Sequence, residues 1–175
     1  MTQVNKKSDM ITTDTRKAAY AVILVAIGVV LAPYTSFPIG IAKVNPTQHF
    51  VNVIGAVLLG PWWATIIAAI IGIIRNAMGV GTLLAFPGGM IGAFLAGYFY
   101  RWLRNVYAGA GGEVIGTGFI APVVSALFVA PVLMGKAIPL LALIPSFLAS
   151  TVAGAILGIL ALKMLARAGI AAVDN

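Results

Sequence analysis

Long apolar stretches, broken by proline, glycine and basic residues, constrain this chain more than any other feature of its sequence. They cover about 18–32, 49–59, 64–74, 87–100, 113–133 and 139–162. With 61% hydrophobic and 9% charged residues, a water-soluble fold could not bury so much apolar surface. A bilayer-spanning helix needs about 20 apolar residues, so a chain of 175 residues has room for about six spans and for no separate soluble domain. We therefore predict an all-α membrane protein with six transmembrane helices.

The basic residues predict the orientation of these helices, because Lys and Arg accumulate on the cytoplasmic side of membranes. With the amino terminus inside, eight of the eleven basic residues fall on the cytoplasmic face, and Lys43, Arg75 and Lys136 fall outside. We expect both termini in the cytoplasm, with tails over 1–17 and 168–175 around a transmembrane domain over 18–167. Membrane anchoring also explains the net charge of +7 better than nucleic-acid binding does.

Three connections share the external face in this topology, and they are the candidate walls of an outward-facing pocket. They cover 34–46, 75–86 and 134–138. The first is predicted to be a loop because it is rich in proline and mixed in polarity. Another glycine-rich connection is predicted over 105–112, on the cytoplasmic side.

Few side chains in this chain could form polar contacts at membrane depth, where polar groups are costly unless they face protein or water. Gln48, His49 and Asn52 begin the second helix, and the i, i+4 spacing places Gln48 and Asn52 on one face. These residues could bind a ligand together, or they could bond only to neighbouring helices, and the sequence leaves both interpretations open. A lone histidine is a poor metal site, so no metal is expected.

Arg75-Asn76 and the following Gly79–Thr82 segment bring a positive charge, an amide and a glycine-rich turn together at a helix end. Glycine lets backbone amides approach a ligand closely. The competing interpretation, slightly favoured on the residues alone, is an interfacial arginine that reaches lipid phosphate groups. Phe37 and Phe86 could form an aromatic wall for a flat ring, although packing is the commoner use of such residues.

Glu113 is the only acidic residue outside the polar tails. If the fifth helix begins at Glu113, the residue is a favourable anion at a helix start, and depth alone slightly favours this interpretation. If the helix begins several residues earlier, Glu113 and Thr117 lie inside the bundle one turn apart. A direct pair between Arg75 and Glu113 conflicts with the predicted topology, which places them at opposite ends of the bilayer.

The sequence lacks the motifs of several enzyme classes. It has no G-x-x-x-x-G-K-[ST] phosphate loop, so we do not expect this chain to hydrolyse ATP by that route. It also has no paired acids, no metal-ligand cluster, no G-x-S-x-G elbow and no cysteine, which leaves hydrolytic and metal-dependent chemistry without machinery. A binding protein without a cofactor fits better.

Five segments of the chain resemble the ThiW family, and the resemblance covers 15–167. They are Phe37–Lys43, Gln48-His49 with Asn52, Leu59–Trp62, Arg75–Gly88 and Gly112–Gly118. The resemblance implies a six-helix substrate-binding (S) component of an energy-coupling factor (ECF) vitamin transporter, a multi-pass protein of the bacterial or archaeal cell membrane. Such a protein captures hydroxyethylthiazole, the thiazole precursor of thiamine, from outside. Its partners are a transmembrane coupling subunit and two cytoplasmic ATPases.

A small neutral heteroaromatic ring with a hydroxyethyl arm needs an apolar slot and a few hydrogen-bonding groups. The candidate substrate-binding residues are Phe37, Gln48, His49, Asn52, Arg75, Asn76, Thr82, Phe86, Glu113 and Thr117. Arg75 and Glu113 would tune or brace this site. Relatives of this class contact the coupling subunit through an Ala-x-x-x-Ala pattern on the first helix, which Ala18, Val22 and Ala26 match imperfectly.

Other functions compete with that of an S component. A stand-alone permease or channel has the same helices and needs no ATPase partner. A membrane enzyme acting on a lipid is disfavoured by the missing acidic pairs, and a purely structural subunit would bind no small molecule.

Overall fold

The computed structural model describes residues 3–39 and 42–170. Over these residues the chain is mostly helical, as the all-α prediction expects, with one short β-hairpin. The elements are α1 (Gln3–Val30), α2 (Ala32–Thr35), β1 (Phe37–Ile39), β2 (Ala42–Val44), α3 (Pro46–Leu59), α4 (Pro61–Ala77), α5 (Ala85–Leu103), α6 (Val106–Leu133) and α7 (Leu140–Arg167). Two segments of α6, Gly116–Ile120 and Ser125–Leu133, are π-helical and continue its α-helical turns.

Helix α3 lies at the centre of the bundle and contacts α1, α4, α5, α6 and α7. Its buried residues do not form a single stripe, since every residue of the run 51–56 is buried. A helix that is enclosed on all sides offers its polar side chains no solvent, so they must find partners within the protein. The buried Gln48, His49 and Asn52 therefore direct their hydrogen bonds into the bundle.

The outer surface of the helices is strongly apolar. Large exposed side chains include Val22, Trp62, Leu127, Val132 and Leu141. An apolar exterior of this extent is unfavourable in water and suits lipid. Within the described residues, α6 and α7 are long and apolar enough to cross a bilayer, and the shorter α4 is apolar as well. Six spans with both termini in the cytoplasm stay a prediction.

Helix α6 begins at Val106, so the glycine-rich connection predicted over 105–112 is wrong. The Asn105 side chain caps the helix by accepting hydrogen bonds from the backbone N–H groups of Tyr107 (2.7 Å) and Ala108 (3.3 Å). Gly112 serves close helix packing instead of a turn, because a Cβ at this position would lie 2.5 Å from the carbonyl oxygen of Leu95. The helix therefore already spans two turns before it reaches Glu113.

The three segments predicted to share one face do lie at the same end of the bundle. The predicted loop over 34–46 contains the β-hairpin, in which Phe37 lies opposite Val44, while Gly40 and Ile41 lie outside the described residues. The Lys43 ammonium donates a hydrogen bond to the Gly79 carbonyl (2.9 Å), which joins the hairpin to the turn after α4. Met134 and Ile138 pack against the hydrophobic cluster that includes Leu84.

The predicted tails differ in how far the structure describes them. Helix α1 extends back to Gln3, so the described part of 1–17 continues the first helix. Helix α7 ends at Arg167, directly before the carboxy-terminal tail predicted over 168–175, of which 171–175 lies outside the described residues. The second helix begins at Pro46 and not near His49.

Candidate ligand-binding site

A polar cavity lies beside the hairpin, between α3, α4, α5, α6 and α7. Its lining residues are Lys43, Asn45, Gln48, His49, Arg75, Thr82, Ala85, Gly88, Thr117, Ser146, Phe147 and Ser150. The empty space amounts to about 400 Å³, part of it open to solvent. The cavity thus has a lining typical of small-molecule sites.

Asn45 connects the hairpin, α3 and α7 at one wall of this cavity. Its side chain caps α3 by accepting a hydrogen bond from the Gln48 backbone N–H (2.8 Å), and it donates one to the Ser36 hydroxyl (2.6 Å). Its own backbone N–H donates to the Ser150 hydroxyl (2.9 Å). An Asn at the N-cap accepts a hydrogen bond from a free backbone N–H of the first helical turn, so α3 starts directly after Asn45. Gln48 and His49 therefore lie in the first turn of α3, where they line the cavity.

The carboxylate of Glu113 lies beneath the cavity and is fully buried, with 0% exposure. Its Oε1 atom lies 2.7 Å from His49 Nδ1 and accepts hydrogen bonds from Asn52 Nδ2 (3.1 Å) and Thr117 Oγ1 (2.9 Å). Its Oε2 atom has no hydrogen-bond partner among the described residues. The interpretation of Glu113 as a helix-start anion is therefore wrong, because α6 begins earlier, and the alternative in which Glu113 and Thr117 lie inside the bundle is confirmed.

Gly92 of α5 makes room for this carboxylate. A Cβ at this position would lie 2.7 Å from either carboxylate oxygen of Glu113 and 2.2 Å from the Thr117 hydroxyl. No side chain larger than hydrogen fits without displacing them. The first π-helical segment of α6, which holds Thr117, packs against the same helix, and such widened turns often occur at functional sites.

Arg75 is 2% exposed and lines the cavity, so the interpretation of this residue as an interfacial arginine that reaches lipid phosphates is wrong. Its Nη1 donates to Gln48 Oε1 (3.3 Å) and its Nη2 to the Ser36 hydroxyl (3.5 Å). Gln48 Nε2 in turn donates to Asn52 Oδ1 (3.3 Å). Arg75 and Glu113 form no direct pair, as expected, yet Gln48 and Asn52 link them through hydrogen bonds.

The structure brings together five of the ten candidate residues in the cavity lining: Gln48, His49, Arg75, Thr82 and Thr117. Asn52 and Glu113 lie behind this lining, bonded to it. The remaining three do not line the cavity.

Those three residues have other surroundings. The Asn76 amide donates to the carbonyls of Gly72 (2.8 Å) and Thr82 (3.4 Å), which holds the turn after α4. The Phe86 ring packs against Gly72, where a Cβ would approach it to 3.1 Å, and Phe37 is 48% exposed on the hairpin. The aromatic side chain that lines the cavity is that of Phe147.

The sequence analysis did not single out Asn45, Ser146, Phe147 and Ser150, all of which line the cavity. A usable signal was present for the two serines: they lie four residues apart in an otherwise apolar stretch, on one face of α7. Ser146 donates to the Ile39 carbonyl (2.7 Å), which ties α7 to the hairpin. Lys43 was noted for its predicted external position and as the end of one ThiW-like segment, but not as a site residue.

An apolar exterior around an internal polar cavity is typical of a helical membrane protein that handles a small molecule. A family model described as "Thiamine-precursor transporter protein (ThiW)" matches residues 18–168. The chain therefore belongs to the ThiW family of thiamine-precursor transporters, which confirms the resemblance noted from its motifs. Comparison with curated proteins and with solved structures found no match.

Proposed function

We propose that this chain is the substrate-capture component of an ECF-type importer, and that the cavity beside the hairpin binds the thiazole precursor hydroxyethylthiazole from outside. The observation that carries the proposal is the convergence of buried polar groups from α3, α4, α6 and α7 on one cavity. Such polar groups are costly in a membrane protein unless they serve a ligand or one another. Partner ATPases would supply the energy, since the chain has no phosphate loop.

The lining suits a small ring with a polar arm. Phe147 supplies an aromatic surface, and the small Ala85 and Gly88 leave room beside it. The amide of Gln48 and the hydroxyl groups of Thr82 and Ser150 offer hydrogen bonds to the arm. His49 would be a directed partner, because Glu113 holds its Nδ1.

Ligand entry requires access from the surface, where the hairpin and the turn after α4 meet. The exposed hydrogen bond from Lys43 to the Gly79 carbonyl joins two cavity walls at the surface. We propose that this contact opens when the ligand enters. Exposed contacts of this kind contribute little to stability, so their rupture costs little.

We propose the exposed face of α1 as the docking surface for the coupling subunit. Ala18, Val22 and Ala26 are all exposed on this helix, with Val22 at 69%. An apolar groove of about 1630 Å³, part of it open to solvent, lies next to them, between α1, α3 and α7, and includes Ile23 and Ile27. Small and apolar side chains allow close helix contact in lipid.

The proposal is tested by thermal stabilisation of the purified protein with thiazole, pyrimidine and intact thiamine compounds, because a ligand of the folded state raises its stability. Selective stabilisation by hydroxyethylthiazole is expected, and a flat response in a folded sample would reject this substrate. Uptake assays then separate the transport modes. Vesicles containing this chain alone should not accumulate the compound, and accumulation without an ATPase would favour the permease.

A further inference from the structure

Building on the proposed capture site, we infer that the cavity prefers a precursor that carries an anionic group, a carboxylate or a phosphate monoester, and that Arg75 and Lys43 bind this group. The inference begins with the buried guanidinium. At 2% exposure, Arg75 forms no ion pair with any acidic side chain in the described part of the chain. A buried charge is unfavourable unless it is paired, so the site lacks a counter-charge.

The hydrogen bonds of Arg75 also indicate that the site can bind an anion. The Nε atom is buried and has no partner in the described ranges, and the bond from Nη2 to Ser36 is long at 3.5 Å. These two nitrogens form one edge of the guanidinium, which is the edge that a carboxylate or a phosphate engages with two parallel hydrogen bonds. The strongest binding mode of this side chain is therefore unused.

The remaining charges of the cavity add to the same field. Lys43 lines the cavity with Arg75, and no Asp or Glu occurs among the described lining residues. Lys43 donates to the carbonyl of Gly79, in the turn whose Val80 and Gly81 N–H groups donate to the Arg75 backbone carbonyl, and the side chains of Lys43 and Arg75 line the same cavity. Two positive charges that line one cavity, one of them buried away from solvent, attract an anion.

Glu113 does not supply the missing counter-charge. Its Oε1 accepts hydrogen bonds from Asn52 and Thr117 and contacts His49, and Gln48 with Asn52 separates it from Arg75. Its charge is thus shared with α3 and α6 beneath the cavity. An anionic ligand would meet the guanidinium without displacing this carboxylate.

The test compares three probes by calorimetric titration of the purified full chain: hydroxyethylthiazole, its phosphate monoester, and the carboxylic acid formed when the end of the arm is oxidised. We expect at least one anionic probe to bind roughly tenfold or more tightly than the neutral alcohol, as one charge-assisted contact provides. The anionic probe that binds more tightly shows whether the site prefers a phosphate or a carboxylate. Equal or tighter binding of the alcohol would overturn the inference and leave the proposed function standing, whereas no binding of any thiazole to folded protein would overturn both.

Variants assign the preference to its residues. Arg75→Gln should abolish the anion preference. Lys43→Gln should reduce this preference several-fold, and because Lys43 is exposed its replacement should not prevent folding. Lys136→Gln removes one positive charge from an exposed connection outside the cavity and should preserve it. An unchanged preference in Lys43→Gln and Arg75→Gln would overturn the inference. Stabilisation by short-chain phosphatidylglycerol as strong as that by the anionic thiazoles would assign Arg75 to a lipid and overturn it too.

Discussion

His49 Nδ1 and Glu113 Oε1 lie 2.7 Å apart beneath the cavity and join α3 to α6. Asn52 and Thr117 donate to the same oxygen of Glu113, so one carboxylate organises side chains from two helices. Burial of a carboxylate is affordable only with such partners. We interpret this group as the floor that holds His49 in position for the ligand.

Truncation of Glu113 should destabilise the protein. In Glu113→Ala the three partner side chains lose their shared acceptor inside the bundle, and we expect a loss of about 3 kcal/mol or more, seen as a lower melting temperature in detergent. Glu113→Gln keeps the shape and one acceptor oxygen and should lose less. A melting temperature equal to wild type in Glu113→Ala would show that the buried contacts contribute nothing.

Gly92 should tolerate no side chain. A methyl group there would meet the Thr117 hydroxyl at 2.2 Å and the Glu113 carboxylate at 2.7 Å, so Gly92→Ala is expected to lower stability by about 1–3 kcal/mol and to weaken ligand binding. The matched control is Gly111→Ala, since a Cβ at this helical glycine meets nothing within 4 Å. Equal behaviour of the two variants would contradict the packing described for Gly92.

Much of this site could be predicted from the sequence, because polar residues in apolar stretches are costly and few. The cluster of Gln48, His49 and Asn52 was identified in this way, and so was Arg75. The depth of Glu113 could not be predicted, because a glycine-rich run can be either a turn or a closely packed helix. Only the contacts of Gly112 with α5 distinguish the two.

The aromatic wall shows a second limit. Phe86 and Phe147 both lie in apolar helices, and the sequence contains nothing that tells which of them faces the cavity. That choice depends on how α5 and α7 are rotated against α3, a tertiary property. Ser146 and Ser150 differ from the phenylalanines, because their i, i+4 spacing in an apolar helix was a usable signal of a shared polar face.

The helix cap at Asn45 should matter for binding as well as for stability. Asn45→Ala removes the cap of α3 and the bond to Ser36, and we expect a loss of about 1–2 kcal/mol together with weaker ligand binding. Asn105→Ala removes the cap of α6 and is the control, because Asn105 itself does not line the cavity. It should lower stability by a similar amount without changing affinity. Affinity losses of the same size in both variants would contradict a role of Asn45 at the site.

The predicted topology can be tested directly because the chain contains no cysteine. A single cysteine at Lys136→Cys should react with a membrane-impermeant maleimide added to intact cells. A single cysteine at Arg104→Cys should react only after the cells are opened. The reverse pattern, or labelling of both in intact cells, would contradict six spans with cytoplasmic termini.

The most direct test of the central claim is a calorimetric titration of thiazole precursors into wild-type protein and into Ala85→Leu. The larger side chain would fill the cavity next to Phe147 and Gly88, so we predict saturable binding by the wild type and loss of binding by a folded Ala85→Leu. Undiminished binding by Ala85→Leu would show that the ligand site lies elsewhere, and the account of this cavity would be wrong.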